Sequence, residues 1–290
     1  MASDGPVITC VEFTRFNIQL ENLSSDASGM GIAFRPGAGE PMERFAVRVH
    51  TDEGIVGEYV PNRARAPVIV PASTALAYGL IGQPALAREH HYQRMRRATK
   101  HVGEAGIGAL DIALWDLAGK AADLPVHRLL GGKIRDRVRV YYTGTHSGKD
   151  APETFTPEEM AACVLKTAND PRGFTLVKSG IAFHSRMPAQ IPNFFYGETR
   201  NGPSHPNRGS LSDKGLRLCI DCVEAMVEAL DGKAQLALAC GPGWTLPDAI
   251  RFAKALEPYP IAWLEDVITG DYSPNVGAAE YRELTRSTST

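Results

Sequence analysis

Two acids close an apolar run near the C-terminus: IAWLED ends in Glu265 and Asp266. Upstream, LALAC stops at Ala239 and Cys240 before Gly-Pro-Gly, and FTLVKSG carries Lys178 close to its end. A carboxylate can hold a hard cation or accept a proton. A lysine can hold an anion or, beside a cation that disfavours its charged form, act as a base. His146 and His184 follow two such runs and change charge near neutral pH; Arg186 adds a fixed cation next to His184.

These residues do chemistry together only if strand ends converge. Gln235–Val267 reads as strand, helix, strand. Thr245 stands at the N-cap position, Pro247 lies in the first turn, and Ile250, Phe252, Ala253 and Leu256 form an apolar face before Pro258 and Pro260. Two near-continuous apolar strands joined by one helix predict a βαβ unit in a buried parallel sheet, where chemistry gathers at the strands' carboxyl ends. The same alternation covers the preceding chain: strand 138–144, helix 157–168, strand 174–180, helix Asp213–Leu230, and, after IAWLED, a helical start at Ala278–Leu284. Four strand–helix units predict about half of an eight-unit (β/α) barrel. An open doubly wound sheet is the alternative, but no G-x-G-x-x-G follows the first strand, which reads VYYTGTHSG.

The N-terminal part has a different rhythm. Residues 6–16 and 44–60 alternate apolar and polar, with Thr51-Asp52-Glu53-Gly54 at hairpin distance, which predicts a small antiparallel meander. Glu21–Met42, rich in Gly, Ser, Asn and Pro, reads as a long loop. Helical patterns follow at Val68–Ile81, Pro84–Ala98 and Glu104–Ala122. In the last, Ile107, Leu110, Leu114, Leu117 and Ala121 share one face, and Ile112 with Trp115 on another predicts burial on more than one side. Cys219 and Cys222 form a C-x-x-C inside an amphipathic helix, which predicts buried thiols rather than a redox or zinc site.

The composition is that of an ordinary globular protein: 290 residues, 43% apolar, 22% charged, formal net charge -2. That balance gives no pull toward nucleic acid or an anionic membrane, and no apolar run is long enough to span a bilayer. MASDGPVITC lacks the pattern of a secretory signal, and five cysteines is an odd number. Both point to reduced thiols in the cytoplasm.

The stretch GEAGIGALDIALWDLAGKAADLPVHRLLGG, the strands VRVYYTG and TLVKSG, and the LALACGPGW…WLEDVITGDY pair occur in this order. Together they resemble the enolase superfamily, and within it the mandelate racemase/muconate lactonizing enzyme group. The resemblance implies an α/β fold: an α+β capping domain (residues 1–132) followed by a partial (β/α) TIM-type barrel, about four of eight units (residues 133–290), with the chain ending about where the fifth strand would begin. It implies Mg2+ held by carboxylates at the ends of the third, fourth and fifth barrel strands, and a base that takes the proton α to a substrate carboxylate. The chemical logic is general: a carbon acid next to a carboxylate needs a hard cation on the oxygens to stabilise the developing dianion. Small carboxylate substrates of the acid-sugar kind, and homo-oligomers, are implied with it.

Carried over residue by residue, Glu265 matches the fourth-strand metal ligand, with Asp266 as a partner behind it. Ala239 occupies the position of the first ligand, where a methyl group cannot coordinate Mg2+ and Cys240 next to it suits softer metals. Lys178 matches the first lysine of a Lys-x-Lys motif whose second position here is Gly180; it is a candidate for substrate binding or for the base, with His184 as an alternative acid or base. His146 and Arg186 are candidates for the substrate site. Residues 184–212, with Phe194, Phe195, Tyr196, Arg186, Arg200 and Arg208, read as a lid over an anionic substrate, and Glu21–Met42 with Pro61–Pro67 as capping-domain loops completing the pocket. Two functions remain open: an acid-sugar dehydratase-like enzyme, or a catalytically inactive fragment or pseudoenzyme.

Overall fold

A computed structural model of the chain describes residues 5–25, 32–61, 66–143, 152–182, 187–197, 210–241, 243–268 and 277–289. The chain divides into two compact units, Met1–Val138 and Arg139–Thr290.

In the first unit, β1 (Ile8–Ser25), β2 (Ile32–Thr51) and β3 (Val56–Tyr59) form an antiparallel sheet in that order. The helices are α1 (Ala66–Ala77), α2 (Arg88–Thr99), α3 (Ile107–Ala122) and the single turn α4 (Val126–Leu129). Ile8, Val47 and Val49 from the sheet meet Ile107, Leu110, Ala113, Leu114 and Leu117 of α3, with Leu80 and Met95, in one apolar cluster. The i, i+3, i+7 spacing on α3 produces this packing, because it lays one stripe against the sheet. Gly57 marks the closest approach: a Cβ there would fall 2.0 Å from the carbonyl oxygen of Ala113.

Two expectations for this unit are corrected. The described residues of Glu21–Met42, 21–25 and 32–42, are strand and not loop; β1 and β2 run on as a two-stranded ribbon, paired from Phe16↔Arg44 out to Ser25↔Ile32 with register shifts near Leu23. Phe16 and Ile18 are exposed on it. A ribbon that satisfies its backbone in its own ladder and has water on both faces needs no apolar alternation, so the sequence pattern did not reveal it. On α3, Ile112 is 43% exposed, and Trp115 is faced by the Arg88 guanidinium at 3.4 Å instead of a second apolar layer.

The second unit contains α5 (Pro157–Ala168), β4 (Leu176–Gly180), the single turn α6 (Met187–Gln190), α7 (Asp213–Leu230), β5 (Gln235–Ala239), α8 (Leu246–Leu256), β6 (Ile261–Glu265) and α9 (Ala278–Ser287). β4, β5 and β6 form one parallel sheet in that order. Val177, Leu236, Leu238, Cys240 and Leu264 project from one face into a core with Met160 and Val164 of α5, Cys222, Val223 and Met226 of α7, and Phe252 and Leu256 of α8. Among the described residues 138–143 of the strand expected at 138–144, pairing is reduced to one bridge, Tyr142 beside Val177. Val138 and Val140 are exposed, so their alternation marks an extended segment without a ladder.

The aromatics expected in a lid are corrected too. Phe194 and Phe195 are buried against each other at 4.9 Å in this core, and Phe195 bridges to Leu211; Tyr196 alone is exposed, its hydroxyl 3.2 Å from Asp213 Oδ2. Apart from that bridge, the described residues 191–197 are turns and bends, as composition predicts, but the two phenylalanines turn inward because burying them is favourable.

Cys219 and Cys222 are free and buried on the inner face of α7. Burial pushes the Cys222 thiol up to about 12 and raises Cys219 and Cys240 as well, so these groups remain protonated at neutral pH. In the folded chain at pH 8, an aromatic disulfide reagent should label exposed Cys10 quickly and half-buried Cys163 slowly, and should reach the other three only after denaturation. Gly57→Ala should cost about 1–3 kcal/mol or more in thermal melts, because the clash is with backbone that cannot rotate away.

Candidate functional site

The register of the parallel sheet decides what meets what. Lys178 pairs with Ala237; Gly180 pairs with Ala239, and Ala239 with Glu265. Side chains alternate along a strand, so Lys178, Ala237, Ala239, Trp263 and Glu265 stand on the face opposite the helices. The ladder continues past the strand ends: Ile181 N donates to Ala239 O at 2.9 Å, Cys240 N to Glu265 O at 2.9 Å, and Trp244 N to Val267 O at 2.9 Å. Glu265 is therefore held by backbone on its inner side.

That face is concave. Tyr141 precedes the bridge at Tyr142 and lies three strand positions from Trp263, which in a flat sheet is about 14 Å. Their rings nevertheless meet edge-to-face with centroids 5.3 Å apart. The sheet curls as barrel sheets do. Above this aromatic floor, toward the carboxyl ends, Lys178 Nζ donates to Glu265 Oε2 at 2.6 Å. The Lys178 side chain is 9% exposed and that of Glu265 34%. Lys178 Nζ also lies 5.3 Å from the centre of the Tyr141 ring.

Of the residues singled out in the sequence, Lys178 and Glu265 are thus brought together across Ala239. Asp266 is exposed, on left-handed backbone at φ 49, a conformation Asp tolerates better than most residues. His146, His184 and Arg186 lie outside the described residues, as do Arg200 and Arg208. Cys240 faces the core, where burial and then the Asp266 and Glu265 carboxylates push its thiol up. Tyr141 and Trp263 were not singled out; the only available signal was their parity with Lys178 and Glu265 along their segments.

A second polar group supports the strand ends. Asp248, buried on α8, accepts from Leu211 N at 3.0 Å, from Thr245 Oγ1 at 3.1 Å and from Arg251 Nη1 at 3.0 Å. Arg251 also reaches Leu211 O at 3.1 Å and Asp213 at 2.8 Å. Thr245 occupies the N-cap position expected of it, but its hydroxyl is 3.1 Å from Asp248 and makes no cap to the backbone. Gly243, at φ +80, lets the chain after β5 lie against the exit of β6; a Cβ there would fall 2.4 Å from Asp266 O.

Two family models match the chain: mandelate racemase/muconate lactonizing enzyme, N-terminal domain, over residues 41–131, and enolase C-terminal domain-like over residues 170–290. The chain belongs to the mandelate racemase/muconate lactonizing enzyme group of the enolase superfamily, with its N-terminal capping domain and C-terminal barrel domain. Among curated relatives, it is 30% identical to a D-xylonate dehydratase of Haloferax volcanii over 77% of this chain and 50% of that protein. It is 28% identical to a D-gluconate dehydratase of Thermoproteus tenax over 82% of this chain and 43% of that one. The chain spans about half the length of these relatives. Among solved structures, a mandelate racemase/muconate lactonizing enzyme-like protein from Rubrobacter xylanophilus matches with a TM-score of 0.68 at 27% identity, over 99% of this chain and 66% of that one. A D-glucarate dehydratase from Agrobacterium tumefaciens, solved complexed with magnesium, matches with a TM-score of 0.68 at 21% identity, over 98% and 65%, which speaks for the fold alone.

The residues described do not fit Mg2+, the metal characteristic of this family. Mg2+ requires several oxygen ligands in near-octahedral order. Position 239 offers a methyl group, and an ammonium already occupies Glu265 Oε2. Among the described residues, no group of three or more His, Cys, Asp or Glu side chains is arranged to hold a metal ion. Gly243→Ala should displace the β6 exit, lower the melting temperature by the equivalent of about 1–3 kcal/mol, and alter the fluorescence of neighbouring Trp244.

Proposed function

We propose that this chain is an acid-sugar dehydratase-like protein that retains recognition of a sugar-acid carboxylate but lacks metal-assisted turnover by its own residues. The observation that carries the reading is the contact between Lys178 and Glu265 across β5: a cation and a carboxylate at the mouth of a concave barrel-type sheet, with the methyl groups of Ala237 and Ala239 between their strands. Lys178 would meet the ligand carboxylate by exchanging it for Glu265, whose partial exposure leaves it room to turn toward solvent. Glu265 could then accept a ligand hydroxyl. The aromatic floor of Tyr141 and Trp263 offers an apolar face on which a carbon chain can lie.

Dehydration of a 2,3-dihydroxy acid removes the C2 proton and the C3 hydroxyl, and the resulting enol becomes a 2-keto-3-deoxy acid. The first step creates a dianion, and the described residues offer it one monovalent cation. That charge suits binding more than turnover. A cytoplasmic location belongs to this reading and is supported by the five free cysteines. Among the described residues, no helix is long and apolar enough to cross a membrane.

Calorimetry with D-xylonate, D-gluconate and D-galactonate, beside the neutral sugars, tests the proposal, together with an assay for keto-acid product. Saturable binding of a sugar acid, absent for the neutral sugars and weakened at least tenfold by Lys178→Met, is expected, with no keto acid above background. Failure of every sugar acid to bind would sink the reading, as would Mg2+-dependent turnover at ordinary enzyme rates of about 1–10³ s⁻¹.

A further inference from the structure

Lys178 and Glu265 stand on strands that are not neighbours. β5 lies between them, and two strand spacings separate their backbones by about 9–10 Å. Lys178 is also set back along the sheet, level with Ala237, whereas Glu265 is level with Ala239. Its ammonium nevertheless lies 2.6 Å from Glu265 Oε2. The stem must cross β5 to get there, and at the levels it crosses β5 presents only the methyl groups of Ala237 and Ala239. Ala237 is 0% and Ala239 1% exposed, although both line the concave side, as expected if the lysine stem lies over them. The ammonium has a second feature of a cation site around it: the Tyr141 ring, 5.3 Å away, whose π-system attracts a monovalent cation.

We propose that the Lys178 ammonium is the resident counter-cation of this site, replacing a divalent metal, and that Ala239 is the residue that gives it passage. The charge that a carboxylate cage would draw from a metal is supplied here by the chain itself. An aspartate at position 239 would stand directly beside Glu265 in the register and compete for the same ammonium. A divalent ion placed on Glu265 would have to displace the ammonium or sit beside it, and like charges at that range repel. The Lys178–Glu265 pair would then carry no net charge without any metal, and that balance would not follow the metal concentration of the solution.

The test requires no substrate and uses the full chain. Mn2+ is added and the free ion is followed by its paramagnetic resonance signal, with Mg2+ as competitor; melting temperatures are recorded with and without Mg2+. The expected result is no loss of free Mn2+ signal at equimolar chain and no shift of the melting temperature. One Mn2+ bound per chain and displaced by Mg2+ would overturn the proposal. A second measurement examines the pair through Lys178→Met, Glu265→Gln and the double variant. Each single change should lower the melting temperature, and the double variant should lose less than the sum of the two, because neither group is left facing a missing partner. Strictly additive losses would also overturn it. If the variants do not fold, the Mn2+ result on the unaltered chain decides alone. Absence of sugar-acid binding would remove the functional reading above and leave this inference standing.

Discussion

The parallel register of β4, β5 and β6 is the constraint on which the second unit depends. Side chains alternate with a period of two, so a slip of one residue would turn Lys178 and Glu265 toward the helices and Val177 and Leu264 toward the concave side. The apolar face fixes the register energetically, because Val177, Leu236, Leu238 and Leu264 must all find the core formed with α5, α7 and α8. The polar face inherits its geometry from that requirement. The arrangement of the site is therefore set by hydrophobic burial on the opposite side of the same strands.

Within that frame, charge is matched locally. A carboxylate beside a methyl group and an ammonium is a different electrostatic object from a carboxylate among carboxylates. The pair lies in a region of reduced solvent access, where removing one partner costs more than the pair itself contributes. It therefore specifies where two side chains sit more than it holds the fold together. The core behind the sheet carries the stability, and its buried cysteines serve there as small apolar groups, their thiols held protonated.

The loops leaving the strand ends are tied in from outside the site. Asp248 and Arg251 on α8 hold the backbone at Leu211, Ser212 Oγ donates to Phe194 O, and Phe194 and Phe195 enter the core. Gly243 allows the chain after β5 to lie directly against the exit of β6. A buried carboxylate with three partners and a glycine without a side chain act to the same end: they fix the backbone that frames the concave mouth.

The amino-acid sequence by itself determined the helices α5, α7, α8 and α9 and the three apolar strands of the second unit, the packed stripe of α3, the buried character of Cys219 and Cys222, and the family, because each of these is written in local periodicity or short motifs. It placed Lys178, Ala239 and Glu265 at strand ends for the same reason. Only the tertiary structure decided that Lys178 reaches Glu265, a contact across 87 positions of chain. It also decided that Tyr141 and Trp263 close the floor, that Phe194 and Phe195 belong to a core and not a lid, and that Glu21–Met42 is largely a paired ribbon. Those outcomes depend on partners distant in sequence: the register of a sheet, the reach of a lysine over two methyl groups, and the pairing of two strands with water on both faces. No local pattern encodes such partners, because the energy that selects them is released only when the strands meet.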